Sequence, residues 1–164
     1  MGKFRILAAF VAVATAVAVV SVPALAGGAK IVPFKASFSG TATTKLTGSR
    51  VDVTARAAGT GTLVGKSKLS GAGVGTKPAD GNCVPFSGPG KIVTSTKLTL
   101  KFVVQPASSG CAGEDQNQVT FSGSAKFLGG TGKFKLARGS FTFSGYYDRG
   151  TGAFTAKFTG SLKV

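Results

Sequence analysis

The chain has 164 residues, with 20 lysines and arginines against 5 acidic residues for a formal charge of +15, and 43% of it is hydrophobic. It has no histidine and no tryptophan, which removes the commonest general base and the commonest transition-metal ligand together. An apolar content of this size, with 13 Phe set mostly in alternating runs, excludes a disordered chain.

The first stretch carries Lys3 and Arg5, then an apolar run over residues 6–22, then Pro23-Ala24-Leu25-Ala26. That is the layout of a secretory signal. The run is marginal for a membrane span, and Pro23 ahead of a small-x-small site favours cleavage after Ala26 over an uncleaved anchor. Two segments are therefore expected, a signal peptide over 1–26 and one domain over 27–164. The expected location is extracytoplasmic: secreted, periplasmic or at the cell envelope.

In the remaining chain the apolar period is two, which predicts half-buried strands. Residues 30–44 place Phe34, Ala36, Phe38, Gly40 and Ala42 on one face, with Lys35, Ser37 and Ser39 between them. Gly48 allows a turn into a second strand over 50–57, where Val51, Val53 and Ala55 alternate with Asp52, Thr54 and Arg56. A third strand runs over 63–69, after which Gly71, Gly73 and Gly75 dissolve the pattern. Residues 76–90 hold Pro78, Asp80-Gly81, Cys83, Pro85 and Pro89, and read as a long loop, either a site lid or a pinned surface excursion. The longest strand is expected over 91–104, followed by a second irregular segment over 107–117. The stretch 121–160 reads as a β-meander punctuated by two Gly-Thr-Gly turns, with Phe121, Phe127, Phe141, Phe143 and Tyr147 on odd positions and Phe154, Phe158 and Leu162 on even ones.

Cys83 and Cys111 are the only cysteines; in an exported chain they are expected to form one disulfide tying the two irregular segments, the alternative being two free thiols. Glu114-Asp115 is the only adjacent acidic pair and lacks the ligand spacing of a calcium loop, so no metal site is expected. Lysines alternate with apolar residues, as in Lys97-Leu98-Thr99-Leu100-Lys101-Phe102, which puts them on the solvent face. They serve either as a solubilising, edge-protecting surface or as a diffuse, salt-sensitive attraction to an anionic polymer or envelope surface. No Arg-rich cluster with interleaved aromatics marks a specific nucleic-acid platform.

Serial hairpins of this length need closure to remove exposed edges, so the fold class expected is all-β, a single antiparallel barrel of about eight strands. The stretch Gly129-Gly130-Thr131-Gly132-Lys133-Phe134-Lys135-Leu136-Ala137-Arg138-Gly139, followed by Asp148 and Thr151-Gly152, resembles the dirigent and allene oxide cyclase barrel superfamily. The resemblance implies an exported barrel, often trimeric, with an apolar cavity and no cofactor, whose members guide radical coupling or ring closure of a hydrophobic substrate. It implies a place for Arg138 near the cavity, while Lys133 stands where several dirigent proteins have an acidic residue. Asp148 is the remaining acid in the matched stretch, and Asp148-Arg149-Gly150 also suits a hairpin turn. Tyr146 and Tyr147 point to opposite faces, so one of them lines the interior.

Two classes of function follow. The first is a non-catalytic exported barrel holding a small apolar ligand, with its basic exterior meeting an anionic partner. The second is a cofactor-independent cyclase or isomerase in which Arg138 orients an anionic group and Asp148, Glu114 or Asp115 moves a proton. Electrostatic polyanion binding as the main role is a third reading. The feature that separates the first two is whether a carboxylate reaches inside.

Overall fold

The computed structural model describes residues 30–115 and 117–164; residues 1–26, expected to be a signal peptide, lie outside the described residues. Eight antiparallel strands close into a barrel in chain order, each paired to the next and the last to the first. They are β1 (Ile31–Thr47), β2 (Arg50–Gly61), β3 (Gly65–Thr76), β4 (Cys83–Thr94), β5 (Thr99–Ala112), β6 (Gln118–Gly130), β7 (Arg138–Asp148) and β8 (Ala153–Lys163). Closure gives every strand two neighbours, so no long hydrogen-bonding edge is left open.

The alternation read from the sequence sorts inside from outside. Phe34, Ala36 and Phe38 of β1, Phe141 and Phe143 of β7, and Phe154, Ala156 and Phe158 of β8 are buried. Lys35, Lys68, Lys101, Lys126 and Lys157 are exposed. A membrane-spanning barrel shows the reverse polarity, with an apolar outer band and a polar lumen. Interior glycines make room for the rings of neighbouring strands. A Cβ on Gly145 would sit 2.6 Å from Phe121 Cζ, and one on Gly123 would sit 2.8 Å from Phe143 Cζ. Phe121-Ser122-Gly123 on β6 and Phe143-Ser144-Gly145 on β7 thus pack reciprocally: the ring on each strand lies over the bare backbone of the other.

Three expectations are corrected. The stretch 76–90 is not a long loop: β4 begins at Cys83, and the connection shrinks to residues 77–82. The prolines fit because the β3–β4 ladder passes from Gly71↔Gly90 to Val74↔Ser87, leaving Gly88 and Pro89 without a ladder partner on β3. The expected strand over 91–104 is two strands, β4 and β5, separated by a turn at residues 95–98. There Lys97 takes a positive φ of 64°, and the Thr94 hydroxyl accepts from the Leu98 N–H at 3.1 Å. The irregular segment over 107–117 is mostly strand, since β5 continues to Ala112.

Cys83 and Cys111 form a disulfide, and they are directly paired residues of β4 and β5. The bond staples two adjacent strands, not two loops. Between them the β5 strand bulges, because four residues, 105–108, stand where β6 has only Gly123 and Ser124. Ser108, fully buried, repairs the gap by accepting from the Ser124 N–H at 3.2 Å and donating to the Ser124 carbonyl at 3.4 Å.

The two ends of the barrel differ. One is closed by the connection between β6 and β7, where a single 3-10 turn, Gly132–Phe134, drives Phe134 into the core at 0% exposure beside buried Ala137. Thr131 clamps this plug to β5 through its N–H to the Thr99 carbonyl at 2.9 Å, and its hydroxyl accepts from the Thr99 N–H at 2.8 Å. Lys133 Nζ donates to the Leu63 carbonyl at 3.0 Å, joining the plug to the β2–β3 turn. At the other end the β1–β2, β3–β4, β5–β6 and β7–β8 connections surround an open mouth.

Candidate functional site

Below that mouth lies a cavity of about 480 Å³, within the range of small-molecule sites. Its shape follows from an imbalance of side-chain size across the barrel. One wall is aromatic: Phe121 of β6, Phe143 and Tyr147 of β7, and Phe154 of β8. The facing wall carries smaller side chains, Val51, Val53 and Ala55 on β2 and Leu69 at the foot of β3, and is bare at Gly71 and Gly73 of β3. Phe102, Phe141 and Phe158 form the floor, and their stacked and edge-on contacts at 4.8–6.2 Å fill the barrel beneath it. The cavity is therefore the upper half of an interior whose lower half is solidly packed.

The bare wall differs from the other interior glycines. A Cβ at Gly71 would find its nearest neighbour, the Pro89 carbonyl, at 3.7 Å, and one at Gly73 would find the Ser87 carbonyl at 3.3 Å. Neither residue is among those with positive φ. Backbone geometry thus leaves room for a side chain at Gly71 and nearly so at Gly73, and what the missing side chains leave is cavity.

The lining is apolar apart from the mouth, where Thr44, Asn82, Tyr147, Lys77 and Arg149 contribute polar atoms. Lys77 and Arg149 are the charged groups among the described lining residues, and no described carboxylate lines the cavity. The loop at 77–82, shorter than the sequence suggested, still reaches the rim through Gly81 and Asn82.

The structure separates the residues singled out in the sequence. Tyr147 is buried and lines the cavity; Tyr146 is 52% exposed on the outer face. Arg138 does not line the cavity. It opens β7 at the closed end, where Nη1 donates to the Ala137 carbonyl at 2.8 Å. The Gly129–Gly139 motif as a whole is the plug of the closed end, with Gly129, Gly132 and Gly139 at positive φ. Asp148 ends β7 at the mouth, but its Oδ1 accepts from the Thr151 N–H at 2.9 Å and so fastens the β7–β8 turn. That backbone bond holds its carboxyl below the ordinary aspartate range. Glu114 and Asp115 lie in the β5–β6 connection, with Asp115 Oδ1 accepting from the Asn117 N–H at 2.9 Å. No group of three or more metal-ligating side chains occurs among the described residues.

The residues sequence reasoning missed are Gly71, Gly73, Lys77 and Arg149. The glycines carried a signal, alternation at 71, 73 and 75 in phase with Leu69, which reads as an inward face without side chains. Compared with known proteins, the chain matches no family model, no curated protein and no solved structure.

Proposed function

We propose that this chain is an exported, non-catalytic β-barrel that takes a small apolar ligand through its open end. The observation that carries the reading is the pair Gly71 and Gly73, where side chains are omitted from a wall that has space for them. Filling that wall would bury apolar surface at about 25 cal/mol per Å², so the empty half of the barrel forgoes stability that a larger residue would supply. An apolar ligand recovers it on binding. The signal-like segment over 1–26 and the Cys83–Cys111 disulfide support an oxidising, extracytoplasmic location. The resemblance of the 129–139 stretch to dirigent-type barrels supports an apolar cavity as well. A cyclase or isomerase needs a group that moves a proton at the ligand, and Asp148, Glu114 and Asp115 are outside the lining, so binding is the preferred reading.

The test uses Nile red, an uncharged dye whose emission shifts to the blue in apolar surroundings. The wild-type protein should bind it saturably at one site. Gly71→Leu/Gly73→Leu should bind at least about tenfold more weakly while melting no lower than the wild type. Absence of saturable binding, or equal binding by the filled variant, overturns the proposal.

A further inference from the structure

The charges are sorted along the barrel axis. All five carboxylates belong to the mouth end: Asp52 near the start of β2, Asp80 in the β3–β4 connection, Glu114 and Asp115 in the β5–β6 connection, and Asp148 at the end of β7. Of the 20 lysines and arginines, only Lys45, Arg50, Lys77 and Arg149 share that end among the described residues. The outer wall and closed end therefore carry cations with no described carboxylate between them. Exposed surface lysines alone mean little. Strand register, however, gathers five of them into one row.

On β3, Lys66 and Lys68 are successive outward residues. Lys68 faces Val93, two residues from Lys91 on β4; Lys91 lies directly opposite Lys101 on β5; and Lys126 on β6 faces Val103, two residues from Lys101. All five side chains are exposed. Directly opposed positions stand about 4.5–5.5 Å apart and diagonal ones about 7–8 Å, so positive charges recur at that interval across four adjacent strands. A like-charged pair placed directly across a ladder is destabilising, and nothing acidic in the row relieves Lys91 against Lys101. An anion laid over them would.

We propose that the Lys66, Lys68, Lys91, Lys101 and Lys126 row binds a flexible linear polyanion, one negative group to each lysine, and that the apolar cup opens away from it. The wall of a closed barrel is convex. A flat anionic bilayer meets such a wall along one line, whereas a flexible chain follows the row around four strands. Among the described residues the only exposed aromatic on the strands' outer face, Tyr146, is on β7 outside the row, so base stacking adds nothing and single-stranded nucleic acid has no advantage over a simple polyphosphate. This surface is separate from the cavity, and the inference does not depend on what the cup holds.

The experiment measures binding of inorganic polyphosphate from low to high salt for three proteins: wild type, Lys91→Ser/Lys101→Ser, and Lys35→Ser/Lys157→Ser. The last pair is a matched control. Lys35 and Lys157 are also exposed neighbours on adjacent strands, diagonal where Lys91 and Lys101 are directly opposed, but they lie on β1 and β8 across the barrel, and their loss changes the net charge equally. Each lost contact to a single-stranded polyanion reduces the slope of log K against log salt by about 0.7. The row variant should therefore be shallower by about 1.4, with at least about tenfold weaker binding at low salt, and the control should stay within about twofold of wild type. Thermal melts confirm folding; if the row variant melts early, Lys68→Ser/Lys126→Ser replaces it. Equal losses in row and control variants would reduce the effect to net charge and overturn the proposal. So would no polyphosphate binding, or tighter binding to phosphatidylglycerol vesicles that the row substitutions leave unchanged.

Discussion

Truncating Phe141 to alanine tests how the barrel is held together. Phe141 is 2% exposed, and its ring centroid lies 4.8 Å from those of Phe127 and Phe158, 5.3 Å from Phe102 and 5.9 Å from Phe34. It thus joins β1, β5, β6 and β8 to its own strand at the floor of the cup. Removing the ring opens a void that merges with the cavity above, and the surrounding phenylalanines are anchored on separate strands and cannot collapse into it. The cost of such a change is about 3–5 kcal/mol, against about 5–15 kcal/mol for a whole domain. At about 3–5 °C per kcal/mol for a domain of this size, the melting temperature should fall by about 9–25 °C. Phe143→Ala should cost less, because that ring already faces the cavity and its closest ring neighbours are at 6.2 Å. The assay is thermal unfolding by circular dichroism of the oxidised protein, with Arg138→Ala and Asp148→Ala as comparators. Those two should each move the melting temperature only a small fraction as far as Phe141→Ala does. A Phe141→Ala protein melting within about 3 °C of wild type, or an Arg138→Ala protein falling as far as Phe141→Ala, would refute this account of the core.

Gly145→Ala should destabilise by about 1–3 kcal/mol through overpacking, since its Cβ meets Phe121 at 2.6 Å as well as the Thr155 carbonyl, whereas Gly71→Ala should not; equal melting points for the two variants would contradict the distinction drawn between packing and cavity glycines. Asp148 should make stability depend on acid. Its folded pKa is depressed by the Thr151 N–H, so its contribution is present above the unfolded aspartate value of about 4 and is lost as pH falls through the lower folded value. The gap in melting temperature between wild type and Asp148→Ala should close over that window, and a gap constant from pH 6 to pH 2 would show that the carboxylate is not the cause. Reducing the Cys83–Cys111 bond, whose partners are 28 residues apart, should cost about 3–4 kcal/mol in the chain-entropy view; chemical unfolding midpoints that agree with and without reductant would contradict it.

The parity of apolar residues was legible wherever side chains carried it. From Val119 to Leu162 the inward and outward faces fall as the alternation predicts, because a strand with one wet face must place every second residue in the core. Legibility failed where a strand lacked its usual chemistry. Pro85, Gly88 and Pro89 concealed β4, yet a barrel strand gains pairing from both neighbours and tolerates a local gap on one side. The β4–β5 turn was hidden for the opposite reason. Lys97-Leu98-Thr99-Leu100 alternates without a break, and the chain reverses there using a lysine at positive φ, with the Thr94 hydroxyl accepting from the next residue's N–H at Leu98, not a glycine or proline.

The candidate site was less legible than the fold, because a cavity is written in what is missing. Gly71, Gly73 and Gly75 appear in sequence as the end of a strand, since a glycine contributes nothing to a hydrophobic period. Only closure of the barrel shows that the first two face Phe121, Phe143 and Phe154 across open space while Gly75, whose Cβ would meet Val84 Cγ1 at 2.9 Å, does not have that freedom. The conspicuous motif misled in the complementary way. Glycines and a phenylalanine at 129–139 drew attention to Arg138 because unusual residues cluster there, and they cluster because a tight connection must take positive φ three times to seat Phe134 in the core. Positive φ at Gly129, Gly132 and Gly139 and the close approach of Thr99 at Gly130 explain the glycines of that motif, whereas at Gly71 neither a positive φ nor a close contact requires glycine. A glycine that packing does not explain is the stronger pointer to a ligand, and in this barrel it lies at the opposite end from the residues the motif advertised.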